Sequence, residues 1–159
     1  MIDYFGVRHG DYNRRSGRLT DEGILQAKKA GEALVGLTNG TNQLGIITSS
    51  RLRAVQTAGL VAETLGRAPA DVVESDEFAS VGENHCLVGV SLQEFLDELV
   101  NKNFSGLDPM GRRAIILVTH QPFATAMKTN GAWMSAPPDS DADYGEVVRA
   151  QPNLWNLRD

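Results

Sequence analysis

The sequence predicts an α/β fold, and two observations carry that prediction. Short apolar runs rich in β-branched residues, such as Gly45-Ile46-Ile47-Thr48 and Ala114-Ile115-Ile116-Leu117-Val118, alternate with longer segments of helical period. Three strand-like runs are each followed at once by a polar cluster: Arg8-His9-Gly10, Ser49 to Arg53, and Thr119-His120. This is the layout of an open, largely parallel sheet flanked by helices, in which ligands bind beyond the carboxyl ends of the strands. With 159 residues, the chain matches the size of one compact domain, expected to span residues 1–159.

The elements follow in order. Tyr4 to Val7 form a first buried strand. Thr20 can cap a helix from Asp21 to about Val35, with Asp21 and Glu22 favourably placed in its first turn and Ile24, Ala27, Gly31 and Leu34 as its inner stripe. Gly45 to Thr48 is a second strand, and Leu52 to Leu65 a helix stopped by Gly66 and then Pro69. Asp71-Val72-Val73-Glu74 reads as a third strand. Ser91-Leu92-Gln93-Glu94 has the capping-box spacing, which predicts a helix from Leu92 to about Asn101. Ala114 to Val118 is the strongest strand, a short helix is expected after Pro122, and Glu146 to Arg149 reads as an edge strand, antiparallel to the rest. Ser135 to Gly145, rich in Pro, Asp, Ser and Ala, is expected to be a surface loop.

Composition narrows the function. A formal net charge of −5 argues against a general affinity for nucleic acid or an anionic membrane surface. No stretch approaches the roughly 20 apolar residues of a membrane span. The single cysteine, Cys86, leaves no internal disulfide, and the N-terminal residues do not read as a secretory signal, so a cytoplasmic protein is expected.

The three polar clusters would bring two arginines and two histidines to one place. Guanidinium forks match the charge and geometry of phosphoryl oxygens, which makes Arg8 and Arg53 candidate clamps. The same positive charge disfavours protonated His9 and leaves a ring nitrogen free to attack phosphorus, while Gly10 allows the backbone to pass close to the ligand. His120 is a candidate hydrogen-bond donor to a phosphoryl oxygen, and Asn13 a candidate phosphate contact.

On Arg8-His9-Gly10, Leu19-Thr20-Asp21-Glu22-Gly23 with Gln26-Ala27, Ser49 to Ala58, and Leu117-Val118-Thr119-His120, the chain resembles the histidine phosphatase, or phosphoglycerate mutase-like, superfamily. The resemblance covers most of the chain. It implies a three-layer α/β/α sandwich around a mostly parallel sheet, no metal or other cofactor, and a phosphohistidine intermediate on His9 surrounded by Arg8, Arg53 and His120. The short chain and His120-Gln121-Pro122 are similar to the compact bacterial phosphohistidine phosphatases.

The chain departs from the family pattern where Arg51 stands in place of a usual proline and where Asp11-Tyr12 follows the Arg-His-Gly run. The segment in which many members supply a glutamate general acid also differs. Glu83 is the first candidate there, because Gly82-Glu83 resembles a Gly-Asp pair of the compact branch; Glu77 is second and His85 third.

Other chemistries find little support. His85-Cys86 has no further ligand at metal spacing, Cys86 lacks an arginine six positions on, and neither a nucleotide-binding glycine loop nor G-x-S-x-G occurs. Arg14, Arg15, Arg18 and Arg51 read more readily as a solvated surface than as a partner site. The expected function is a metal-independent phosphatase acting on a phosphorylated protein, phosphohistidine included, or on a small phosphate ester. The alternatives are a non-catalytic phosphate-recognition module and, made less favourable because the short chain lacks the long insertions of the glycolytic mutases, a phosphoglycerate mutase.

Overall fold

The computed structural model describes residues 2–77, 92–104, 106, 111–128 and 142–150. The chain order is β1 (Ile2–Arg8), α1 (Asp21–Leu37), β2 (Gln43–Thr48), α2 (Leu52–Thr64), a single 3-10 turn (Pro69–Asp71), β3 (Val73–Glu74), α3 (Leu92–Asn103), β4 (Arg113–Thr119), α4 (Gln121–Lys128) and β5 (Val147–Ala150). Among the described residues the strands form one sheet in the order β3-β2-β4-β1-β5. All neighbours are parallel except β5, which runs antiparallel along β1.

Alternation along the strands sorts side chains into two cores. Phe5, Val7, Ile116 and Val118 face Ala30 and Leu34 of α1 and Ala54, Ala58, Val61 and Ala62 of α2. Tyr4, Ile115 and Leu117 face Leu96, Leu99 and Val100 of α3 and Phe123 and Met127 of α4. The result is the expected α/β/α sandwich, in which each fully buried Phe- or Ile-sized side chain stabilises by roughly 1.5–3 kcal/mol.

Local chemistry sets the element ends. Thr20 Oγ1 accepts the Gly23 N–H at 3.0 Å, capping α1. Gly66, at φ +70°, terminates α2: its N–H reaches Glu63 O at 3.0 Å and that of Arg67 reaches Ala62 O at 2.8 Å, the paired bonds of a Schellman motif.

Several expectations are corrected. The α1 stripe begins at Gly23, with Ile24 only half-buried, because the N-terminus of the helix lies against backbone rather than side chains. Asp71 belongs to the 3-10 turn and not to a strand: Pro69 fixes the backbone there and the Asp71 N–H bonds Ala68 O at 2.9 Å. Helix α4 begins at Gln121, with Pro122 inside its first turn, where a missing N–H costs nothing. The edge strand begins at Val147, one residue late. Ser91 lies outside the described residues, as does most of the loop expected over 135–145. Among the described residues no helix is long and apolar enough to cross a membrane.

Candidate active site

The chain leaves β1 through α1 on one face and leaves β4 through α4 on the other. The crevice between the carboxyl ends of these adjacent strands is therefore the switch point of the sheet. Arg8 and Thr119 are register partners there, so His9 and His120 emerge side by side as the next residue of each strand. The His9 N–H donates to Thr119 O at 2.9 Å, and the two imidazole centroids lie 5.0 Å apart. Both residues are buried, at 4% and 8% exposure.

The orientation of His9 follows from its two hydrogen bonds. Nδ1 lies 2.8 Å from the carbonyl of Gly10, which can only accept, so Nδ1 carries the hydrogen. Nε2 receives Arg53 Nε–H at 3.1 Å and therefore presents its lone pair to the guanidinium. Burial pushes the His9 ring down to about 4; Arg53 and Arg8 add to this, while the Gly10 carbonyl and Asp11 oppose it. His120 is pushed down to about 3 by burial first, then by His9, Arg53, Arg51 and Arg8. Both rings are neutral at pH 7, and His9 holds a nucleophilic nitrogen without proton removal.

Helices α1 and α2 shape the loop that holds this ring. Thr57 Oγ1 accepts the Gly10 N–H at 3.1 Å and donates to Arg53 O at 2.8 Å, joining the loop to α2 one turn from Arg53. Gln26 Oε1 accepts the Asp11 N–H, and Gln56 Oε1 accepts the Leu19 N–H, each at 2.8 Å. Gly10 and Gly23 allow backbone to lie on backbone: a Cβ on Gly10 would sit 2.4 Å from Gly23 O, and one on Gly23 2.0 Å from Asp11 O.

Two tyrosines brace the arginines. Arg53 Cζ lies 4.3 Å from the centroid of the Tyr12 ring, and Arg8 Cζ 3.9 Å from that of Tyr144. Both rings also flank His9, at 5.3 and 5.8 Å between centroids. One guanidinium nitrogen of Arg8 donates to Ala142 O at 2.8 Å, leaving Nε buried without a partner among the described residues. Ser49 Oγ lies 2.8 Å from His120 Nε2.

Thus Arg8, His9, Gly10, Arg53 and His120 come together. Asn13 is exposed, and its Oδ1 accepts the N–H groups of Arg15 and Ser16 at 2.9 and 3.1 Å, tying up that oxygen within its own loop. Glu77 forms an ion pair with Lys102 of α3. Glu83, His85 and Cys86 lie outside the described residues. Arg14, Arg15, Arg18 and Arg51 are exposed. Sequence reasoning gave Ser49, Thr57, Tyr12 and Tyr144 no individual role at the site, although Ser49 lies in one of its polar clusters and Tyr12 and Tyr144 in segments at its rim. The place of Ser49 directly after a strand put it at the site, but neither its bond to His120 nor the stacking of Tyr144 on Arg8 carried a local signal.

An α/β sandwich with paired histidines and arginines at its switch point has the charge and geometry that suit a phosphoryl group. A family model described as "Histidine phosphatase superfamily (branch 1)" matches residues 6–84, and over that stretch the chain belongs to this superfamily. Among solved structures the chain is similar to mycobacterial hydrolase 1, with 17% identity, a TM-score of 0.63, and coverage of 92% of this chain and 90% of that one. It is also similar to a mycobacterial glucosyl-3-phosphoglycerate phosphatase in complex with inorganic phosphate (18%, 0.60, 97% and 91%). A third similar structure is a protein assigned as the phosphohistidine phosphatase SixA from Agrobacterium tumefaciens (16%, 0.58, 92% and 89%). These likenesses establish the fold. No curated protein matches the chain significantly in sequence.

Proposed function

We propose that this protein is a metal-independent phosphatase that passes the phosphoryl group through His9. The observation that carries the reading is the state of the His9 ring: neutral, held by Nδ1–H on Gly10 O, with the Nε2 lone pair facing Arg53. In the first step the Arg53 Nε–H turns from Nε2 to a phosphoryl oxygen, and the lone pair so released forms the N–P bond as the bond from phosphorus to the leaving group breaks, the departing atom taking the electron pair. Arg8 and Arg53 balance the charge on the peripheral oxygens, and His120 donates to one of them. In the second step water attacks phosphorus, the N–P bond breaks, its electrons return to Nε2, and inorganic phosphate leaves.

The substrate is a phosphorylated protein, phosphohistidine included, or a small phosphate ester, and the working compartment is the cytoplasm. Leaving groups of low basicity suit the site best, because protonation of the leaving group contributes about 10²–10⁴-fold where an acid is available. Glu77 pairs with Lys102 at the surface, and Glu83, the first candidate, is the acid to test before Glu77 and His85. With p-nitrophenyl phosphate, the wild type is expected to turn over in the presence of chelator and to yield an acid-labile, alkali-stable phosphoryl adduct, and His9→Ala to do neither. Equal activity in the two proteins would rule out the mechanism.

A further inference from the structure

We propose that Ser49 is a positioning residue that fixes the tautomer of His120, its hydroxyl donating to Nε2 so that Nδ1–H is the donor left for a phosphoryl oxygen. This rests on the reading of the crevice as a phosphoryl site. Ser49 and His120 stand at the ends of the neighbouring parallel strands β2 and β4, and both are buried. Their Oγ to Nε2 distance is 2.8 Å, and Ser49 Oγ has no second partner among the described residues.

Two hydrogen placements are open to this pair, and they are not equivalent. If Nε2–H donated to Ser49 Oγ, the serine hydrogen would point at nothing and the Nδ1 lone pair, buried and without a partner among the described residues, would be all that the ring could offer a phosphoryl oxygen. If Ser49 donates instead, the serine is satisfied and only Nδ1–H remains unpaired. A phosphoryl oxygen supplies the acceptor for a hydrogen and repels a lone pair. The neutral state of the His120 ring, which burial enforces, is what makes the choice of tautomer matter.

His9 and His120 then carry the hydrogen on the same nitrogen for opposite purposes. In His9, Nδ1–H is consumed by Gly10 O, so that Nε2 keeps the lone pair, which accepts from Arg53 Nε–H until it is used on phosphorus. In His120, Nε2 is consumed by Ser49 and frees Nδ1–H to donate. One ring supplies the electron pair and the other the hydrogen bond, although both are uncharged.

The test is a long-range proton–nitrogen correlation spectrum of ¹⁵N-labelled protein at neutral pH, with His120 assigned from His120→Asn. In the wild type, His120 is expected to show a protonated Nδ1 and an unprotonated Nε2. Ser49→Ala should shift it towards the Nε2–H form, and Ser49→Cys, a weaker donor, should give an intermediate mixture. The His9 signals, held by Gly10, should not change and so report an intact fold. Ser49→Ala should also lower kcat/KM for p-nitrophenyl phosphate by about 10-fold, the lower end of losses seen when a partner that orients a functional histidine is removed. An Nε2–H tautomer in the wild type, or an identical His120 spectrum in folded Ser49→Ala, would overturn the proposal. Absence of wild-type turnover with the expected spectra would instead overturn the phosphatase reading.

Discussion

The two faces of the sheet are packed by different means. Under α1 and α2 most of the buried helix residues are small, Ala27, Ala30, Gly31, Ala54, Ala58 and Ala62 beside Leu34 and Val61, and the helices come so close that a Cβ on Gly31 would lie 2.7 Å from the Cβ of Thr64. Under α3 and α4 the core is filled by Tyr4, Leu96, Leu99, Phe123 and Met127. Large side chains can shift rotamer to absorb a change, whereas backbone lying on backbone cannot. The close-packed face is also the one whose residues, Gln26, Gln56, Arg53 and Thr57, hold the loop around His9. Position is set on one side of the sheet, and much of the bulk of the core is buried on the other.

The largest effect on activity should come from Gly23→Ala, whose new Cβ would stand 2.0 Å from Asp11 O. The overlap is expected to cost about 1–3 kcal/mol of stability. Because an ångström of displacement at a reacting group can cost about 100-fold, kcat/KM should fall by roughly that factor. Denaturant midpoints and p-nitrophenyl phosphate turnover measure the two. On the opposite face, Leu99→Ala leaves a cavity and should cost about 2–5 kcal/mol, with kcat/KM unchanged at a temperature where the variant is folded. Equal losses of activity in these two variants would break the distinction between the faces.

The third effect concerns pH and leaves activity at pH 7 untouched. In the unfolded chain a histidine binds its proton near 6.5, whereas native His9 stays neutral down to about 4. Between those values the unfolded state binds more protons, so stability falls as pH is lowered through the window, by up to about 3 kcal/mol from His9. At pH 7 this contribution is absent. Urea titrations at pH 7 and pH 4.5 should show a steeper loss for the wild type than for His9→Asn. Parallel pH profiles for the two proteins would mean that the native ring is not held neutral.

Features set by neighbouring residues were legible in the sequence: the Thr20 cap, the Gly66 stop and the apolar run of β4 each depend on a few consecutive positions. The meeting of Arg8, His9, Arg53 and His120 was legible because strand ends in a parallel sheet converge. Asp71 was misread because the β-branched residues after it outweighed the turn that Pro69 imposes. The aromatic braces and the Ser49 bond could not be read. Tyr144 reaches Arg8 across 136 positions, and Ser49 reaches His120 across 71, and no local pattern encodes such pairings.

The anchoring of Arg8 has a consequence for the order in which the molecule is made. This residue belongs to the first strand, yet its carbonyl accepts the Gly145 N–H at 2.9 Å, its own N–H reaches Glu146 O, and its guanidinium is held by Ala142 O and Tyr144. A nascent chain that has already formed β1, β2 and β4 still lacks the contacts that aim this arginine. Structure can therefore accumulate during synthesis well before the site is ready, and competence arrives only with the segment that leads into β5.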